Sequence, residues 1–348
     1  MTIVEGTRSI TGGVDTHLDV HVAAALDDIG GLLGVESFEA SSAGNDKLLG
    51  WLASFGQVAK VGVEGTGSYG ASLARSLRAA DVCVVEVDRP NRQARRRSGK
   101  SDPADAVEAA RAALSGRAQG AGKTRDGNVE AIRALVVAKR SAKSTRIKSM
   151  NQIRHLGFTA PDELRERLRG VSRDHLGTVA ASLRPRADGD LVLTATKTAI
   201  RILGRRVLTL DQELATIDNL LRPLVTATAP SLLGVHGVGV DCAAAVLVAA
   251  GDNPERLRSE AAWAHLCGVA PIPASSGKVT RWRLNRGGDR HANGALWVIV
   301  ITRMNSDPRT RAYVERRLAE GKSKPEIIRI LKRYVAREIY RHLPRHDG

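Results

Sequence analysis

The stretch Arg96-Arg97-Ser98-Gly99-Lys100-Ser101-Asp102-Pro103-Ala104-Asp105-Ala106 reads as a basic run that ends in a helix start. Ser101 is a favourable N-cap, and Pro103 is tolerated in a first turn, where its missing N–H would have no partner anyway. The alanine-rich run from Ala104 to Leu114 has high helix propensity. Asp102 and Asp105 stand three residues apart and so share one face of that turn. Taken alone, they do no more than complement the positive end of the helix dipole. Two acids upstream, Asp15 and Glu64, shift the balance, because each lies at the end of an apolar β-type run.

Outward from the helix, the preceding residues alternate between strand and helix patterns. Ile10–Asp15, Val20–Leu26 and Leu32–Phe38 read as an antiparallel meander, with turn chemistry at Asp27-Asp28-Ile29-Gly30-Gly31. Asn45–Phe55 has helical spacing, and Val58–Glu64 is a strand ending in Gly65-Thr66-Gly67. A helix over Tyr69–Ala80 and a continuous apolar strand over Val82–Val87 follow. Three antiparallel strands, then helix, strand, helix, strand, is the order of the ribonuclease-H-like fold. In that order Asp15, Glu64, Asp102 and Asp105 gather at one sheet edge. Crowded carboxylates are costly unless a cation neutralises them. Such oxygen ligands suit Mg²⁺ or Mn²⁺, and a two-metal site clamps the attacking and leaving oxygens of a phosphodiester. Arg92, Arg95, Arg96, Arg97 and Lys100 feed straight into this edge and are expected to hold phosphate across it.

The totals point the same way. A net charge of +16 over 348 residues favours a polyanionic partner, nucleic acid before a small acidic metabolite. Aromatic residues make up only 3%, which disfavours extended base-stacking platforms. Cys83, Cys242 and Cys267 have no metal-binding spacing and read as reduced core thiols of a cytoplasmic protein. No signal-peptide pattern is read at the N-terminus, and the apolar run Ala243–Ala250 is too short to span a bilayer, so no membrane partner is expected.

Beyond a Gly/Ala/Lys/Arg-rich linker at 116–127, Asn128–Leu156 reads as a long helix with Lys139, Lys143 and Arg146 as a basic stripe. Thr194–Leu224 carries apolar residues at spacings of three and four, which fits either a coiled-coil seam or an intramolecular helical pair. Gly237-Val238-Gly239 between helices resembles a helix-hairpin-helix turn, whose backbone N–H groups can bind duplex phosphates. Ser275-Ser276-Gly277 precedes arginines at Arg281, Arg283, Arg286 and Arg290. A serine on such a turn suits attack on a phosphodiester, with guanidinium groups offsetting the developing charge. A phosphate-binding loop without chemistry has the same pattern. Three domains are expected: 1–120 with the four acids, a helical linker at 121–228, and a mainly helical domain at 229–348.

The order of Asp15, Glu64 and Lys100-Ser101-Asp102-Pro103-Ala104-Asp105-Ala106 resembles the Asp-Glu-Asp-Asp transposases of bacterial insertion sequences, the one-ten family. Gly268-Val269-Ala270-Pro271, Ser275-Ser276-Gly277 and Leu284-Asn285-Arg286-Gly287-Gly288-Asp289-Arg290 resemble that family's C-terminal domain. The resemblance implies an N-terminal fold like the resolvase RuvC, a helical linker and a C-terminal domain bearing a nucleophilic serine. It further implies Mg²⁺ on Asp15, Glu64, Asp102 and Asp105, and a covalent phosphoserine link from Ser276 to DNA. By the same resemblance the partners are donor and target DNA duplexes, a structured noncoding guide RNA, and other copies of the chain in a homodimer or homotetramer. The rival readings are a resolvase that uses water with the same acids, and a nucleic-acid-binding protein without activity.

Overall fold

The computed structural model describes residues 8–87, 101–118, 120–186, 190–277 and 279–344. The basic run with Arg92, Arg95, Arg96, Arg97 and Lys100 lies outside the described residues. The chain divides into two compact units, one drawn from 8–127 with 251–258, the other from Asn128–Ala250 and Ser259–Pro344. The helical linker region and the C-terminal region thus fall in the same unit.

The first unit is built on β1 (Ser9–Thr16), β2 (Val20–Leu26), β3 (Leu32–Glu39), β4 (Gln57–Glu64) and β5 (Cys83–Val87). They form one mixed sheet in the order β3-β2-β1-β4-β5. The first three strands pair antiparallel, whereas β4 runs parallel to both β1 and β5. Helices α1 (Ser42–Ser54) and α2 (Ala71–Ala79) fill the connections into β4 and β5. Strand alternation divides β2 between two layers. Ala23 and Ala25 join Leu48, Leu52, Leu73 and Leu77 of those helices, whereas Val22 and Ala24 face Ala106 on the other side.

Ala106 belongs to α3 (Asp102–Leu114), the helix expected from the alanine-rich run. Ser101 occupies its N-cap in extended backbone, but the serine side chain makes no capping hydrogen bond, so only the positional half of that expectation is met. The helix lies unusually close to the sheet. A Cβ added at Gly13 of β1 would stand 2.3 Å from the Ala106 carbonyl oxygen, and one at Gly62 of β4 would stand 2.6 Å from that of Ala109. Gly13 and Gly62 are register partners, so a two-glycine floor meets the alanine face of α3. The stretch 116–127, read from sequence as a linker, is tied into this unit. Asn253 donates to the Gly122 carbonyl at 3.0 Å and accepts from Thr124 N–H at 3.3 Å.

The second unit begins with α4 (Asn128–Phe158). Two short helices, α5 (Asp162–Leu168) and α6 (Leu176–Ala181), lead to α7 (Leu191–Thr228), which runs back along α4. Ile200 and Val207 of α7 pack with Met150, Ile153, Leu164 and Leu176 from the other three helices. The apolar seam of α7 is therefore used within the chain, the intramolecular alternative of the two readings. The unit continues through α8 (Pro230–Leu233), α9 (Val240–Ala250) and α10 (Glu260–Leu266) to the short hairpin β6 (Ile272–Pro273) and β7 (Trp282–Arg283). Helices α11 (Arg290–Ser306), α12 (Pro308–Ala319) and α13 (Lys324–His342) close it. Trp263, Leu247, Ile299 and Ile339 are fully buried among them. Among the described residues, no helix is long and apolar enough to cross a membrane.

Candidate metal centre and serine loop

The sheet alternation that sends Gly13 toward α3 sends Asp15, two residues on, to the same face. Gly62 and Glu64 repeat the relationship on β4, one residue past the last paired position, Val14 with Val63. Thr16 donates its hydroxyl to the Glu64 carbonyl at 2.7 Å and ties the two strand ends together. Because α3 sits so low over the glycines, its first turn brings Asp102 and Asp105 to that edge.

The carboxylate of Asp15 is 6% exposed as a residue and lies 3.2 Å from His17 Nε2. The same imidazole nitrogen is 3.6 Å from Asp102 Oδ1. Ligand atoms of Asp15, His17 and Asp102 all fall within 4.8 Å of one another. Burial pushes the Asp15 carboxyl above its usual range, His17 pulls it down, and Asp105 and then Asp102 push it up again, with a net rise. The Asp105 side chain is buried as well, at 5% exposure. Asp15 therefore interacts with both Asp105 and Asp102. Glu64 is brought to their edge by register, and Glu64 and Asp105 stand outside the trio of closest ligand atoms.

The donor set fits a divalent cation. A carboxyl destabilised by burial and by two neighbouring carboxylates is relieved by bound positive charge. Oxygen donors suit Mg²⁺, and an imidazole among them suits Mn²⁺ as well. His17 did not emerge from the sequence reading, although the strand period carries a signal for it. Residues two apart share a face, so Asp15-Thr16-His17 places an imidazole beside the first acid.

In the second unit the structure supports the serine loop from its feet. Gly268 and Gly288 meet so closely that a Cβ on Gly288 would stand 2.2 Å from Gly268 N. Asn285 donates to the His265 carbonyl at 3.0 Å, and Asn293 donates to that of Cys267 at 2.7 Å. Asp289 caps α11 through the N–H groups of His291 and Ala292, at 2.8 and 2.9 Å. Above these feet rises the hairpin, with Ser276 and Val279 exchanging both backbone hydrogen bonds at 3.1 Å across its tip. The two serines differ. Ser275 Oγ accepts from Arg281 N–H at 3.2 Å and helps hold the turn, whereas Ser276 is exposed at the tip, and its side chain makes no hydrogen bond among the described residues. Arg281, Arg283, Arg286 and Arg290 are all exposed, the first two on the hairpin arm after the tip, Arg286 at its foot and Arg290 at the start of α11.

The basic stripe of α4 has another employment. Lys139 is 6% exposed and bonds Asp218 and Asp241, Lys143 bonds Asp241 at 2.6 Å, and Arg146 bonds Asp211. These cations latch α4 to α7 and α9. Lys139 is buried and committed to two carboxylates, whereas the side chain of Lys143 keeps about half its surface exposed. Gly237 and Gly239 lie in the turn before α9, where Gly237 packs against Ile299 of α11.

Two family models match the chain. One, for a DEDD-type transposase, covers residues 12–156, and the other, described as a transposase of the IS116/IS110/IS902 family, covers residues 229–315. The chain is also similar to the insertion element IS900 uncharacterized 42 kDa protein of Mycobacterium paratuberculosis. The identity is 26% over 192 residues, or 51% of this chain and 48% of that relative. It is 35% identical over 105 residues to the insertion element IS110 uncharacterized 43.6 kDa protein of Streptomyces coelicolor, covering 30% of this chain and 26% of that one. The chain thus spans about half the length of the first relative and about a quarter of the second.

Proposed function

From the chain's membership of the IS110/IS116/IS902 family of transposases, we infer that it cuts and rejoins DNA for an insertion sequence. The observation that carries this reading is the convergence of Asp15, His17 and Asp102 under a helix whose next acid, Asp105, is also buried. The sheet order and the position of α3 support a ribonuclease-H-like fold for this unit. Asp15, Glu64, Asp102 and Asp105 are the ligands for Mg²⁺ or Mn²⁺, with the His17 imidazole beside Asp15 and Asp102 as a further donor. When bound, the metal supplies Lewis-acid polarisation of a phosphodiester oxygen.

Ser276 is the nucleophile in this reading. Its Oγ forms a bond to phosphorus as the P–O ester bond of one strand breaks. The hydroxyl proton passes to solvent water, and the leaving oxygen takes one proton from solvent, so that one P–O bond forms as one breaks. The exposed arginines Arg281, Arg283, Arg286 and Arg290 offset charge on the phosphate; being permanently protonated, they do not serve as the base. Strand exchange follows when the released hydroxyl of another strand attacks the phosphoserine: the new P–O ester bond forms as the P–Oγ bond breaks, the attacking hydroxyl loses its proton to solvent, and the serine hydroxyl is restored. Duplex DNA is the substrate, and a structured noncoding RNA of the element is the guide. A homodimer or homotetramer, acting in the cytoplasm at the nucleoid, is the active form.

The experiment is cleavage of end-labelled DNA spanning an element junction, with copurified RNA retained. Cleavage in Mg²⁺ that stops with EDTA, and stops again when the RNA is digested, is the expected result. Cleavage that survives ribonuclease and leaves only free ends supports a resolvase that uses water instead.

A further inference from the structure

The feet of the serine hairpin form one wall of a groove that the reading above leaves unused. Val269–Pro271 leads into β6, and Leu284–Arg286 leads out of β7, so the same backbone that carries Ser276 at its tip lines the groove at its base. The opposite wall is α13, through Arg329, Ile330, Lys332, Arg333, Tyr334 and Arg337. The cavity measures about 630 Å³, within the range of pockets that hold small organic ligands.

Its charge is strongly one-sided. Arg333 and Arg337 share the carboxylate of Glu260. Arg286, Arg329 and Lys332 have no ion pair among the described residues. Lys332 instead donates to Asn293 Oδ1 at 2.8 Å, a neutral acceptor whose own amide is anchored on the Cys267 carbonyl. Burial and the neighbouring Arg329 hold the Lys332 ammonium below the ordinary lysine value, as befits a cation that lacks a carboxylate. Beside these cations the groove is apolar, with Val269, Ala270, Pro271 and Ile330 on its surface. Leu284 and Tyr334 remain 58% and 52% exposed, and the Tyr334 ring is braced edge-on by Tyr313 at 6.2 Å between centroids. A cation cluster in which Arg286, Arg329 and Lys332 have no ion pair among the described residues, set against an apolar, aromatic-edged wall, matches a phosphate joined to a planar base and a sugar.

We propose that this groove holds an unpaired nucleotide of the DNA strand on which the hairpin serine acts. Its phosphate lies on Lys332, Arg286 and Arg329, and its base lies against Tyr334 and Leu284. From Pro271 on the groove wall to Ser276 is five residues, or about 17 Å of extended chain. That is the rise of about five stacked nucleotides along a strand. The groove thus seats a nucleotide a few positions from the phosphate that Ser276 reaches. An aromatic content of 3% rules against a long stacking platform but not against one ring for one base. The proposal rests on the serine reading for the identity of the strand, and on the groove's own chemistry for the nucleotide.

The test uses the full chain carrying Ser276→Ala, so that binding is read without chemistry. A single-stranded DNA oligonucleotide with one 4-thiothymidine is photocrosslinked and the adduct is mapped by mass spectrometry, with the matching RNA as a second arm. Crosslinks from DNA to the 269–271, 284–286 or 329–337 peptides are expected. Lys332→Gln and Tyr334→Ala are each expected to weaken that DNA about tenfold or more, the usual effect of losing one stacked base or one charge-assisted contact. Unchanged circular dichroism and melting temperature in both variants exclude a folding effect. Lys322→Gln, on the α12–α13 turn and outside the groove, is expected to keep wild-type affinity. Crosslinks elsewhere, crosslinks from RNA alone, or full affinity in both groove variants would overturn the proposal. If Ser276→Ala binds in the groove but wild type forms no DNA adduct, the groove stands and the serine reading fails.

Discussion

Gly13 of β1 and Ala110 of α3 meet backbone to backbone, so that a Cβ on Gly13 would lie 2.1 Å from the Ala110 nitrogen. This contact sets the height of α3 over the sheet, and with it the depth at which Asp102 and Asp105 enter the site. Gly13→Ala is expected to destabilise the protein by about 3 kcal/mol or more, since neither backbone can yield to a single methyl group. Gly50→Ala provides the contrast, because a Cβ there meets nothing within 4 Å in the middle of α1. It is expected to stabilise by about 0.5–1 kcal/mol. Chemical denaturation of both variants reads the difference.

Asp102→Asn and Asp105→Asn are expected to abolish strand cleavage without unfolding the protein. Both acids lie in the first turn of α3, and an amide keeps their shape while removing a ligand charge. The melting temperature of the wild type is expected to rise with Mg²⁺ or Mn²⁺ by mass action, and that of the variants much less. Full cleavage by either folded variant would count against the metal centre.

His17→Gln addresses the residue that joins Asp15 to Asp102. With an imidazole in the ligand set, Mn²⁺ is expected to bind more tightly than Mg²⁺, and the variant to lose most of that preference. Isothermal titration with each metal measures it. Equal loss for both metals would point to a positioning role in place of ligation.

The latch between α4, α7 and α9 makes a prediction about pH. Burial pushes the Asp241 carboxyl up, but its hydrogen bonds to Lys139 and then Lys143 outweigh this and leave it below the ordinary value of 3.8. A lowered carboxylate pKa stabilises the fold above the unfolded value, and the contribution is lost as pH falls through the folded one. Asp241→Asn is therefore expected to be less stable than wild type at neutral pH, with the gap closing below about pH 3.8. Lys139→Met leaves Asp218 and Asp241 facing each other without their shared cation, and its loss of stability is expected to shrink in acid for the same reason. Urea midpoints across the acid range measure both.

Much of the first unit could be read from its sequence, because strand period, glycine turns and helix caps are local signals. Every strand from β1 to β5 lies within a residue or two of its apolar run, and α3 begins where Ser101 and Pro103 place it. What escaped was non-local. Lys139, Lys143 and Arg146 present a clean basic stripe, yet their counter-charges lie 65 to 102 residues away and leave no trace in the local pattern. The stretch 116–127 has a linker's composition but is held by Asn253, well over a hundred residues on. Gly13 reads as punctuation before Asp15, although its work is to admit a helix that comes almost a hundred residues later. The motif Leu284–Arg290 looks like a phosphate loop, and much of it proves to brace the hairpin through Asn285, Gly288 and Asp289.

The central claim is that Ser276 attacks DNA with the help of metal-bound acids. Its most direct measurement is the recovery of a denaturation-resistant protein–DNA adduct, with the modified residue identified by mass spectrometry. A phosphodiester-linked nucleotide on Ser276 is expected in Mg²⁺, absent from Ser276→Ala and from Asp102→Asn, and retained by Ser275→Ala at reduced yield because Ser275 only braces the turn. An adduct that persists in Ser276→Ala, or cleavage by the wild type with no adduct on any residue, would contradict it.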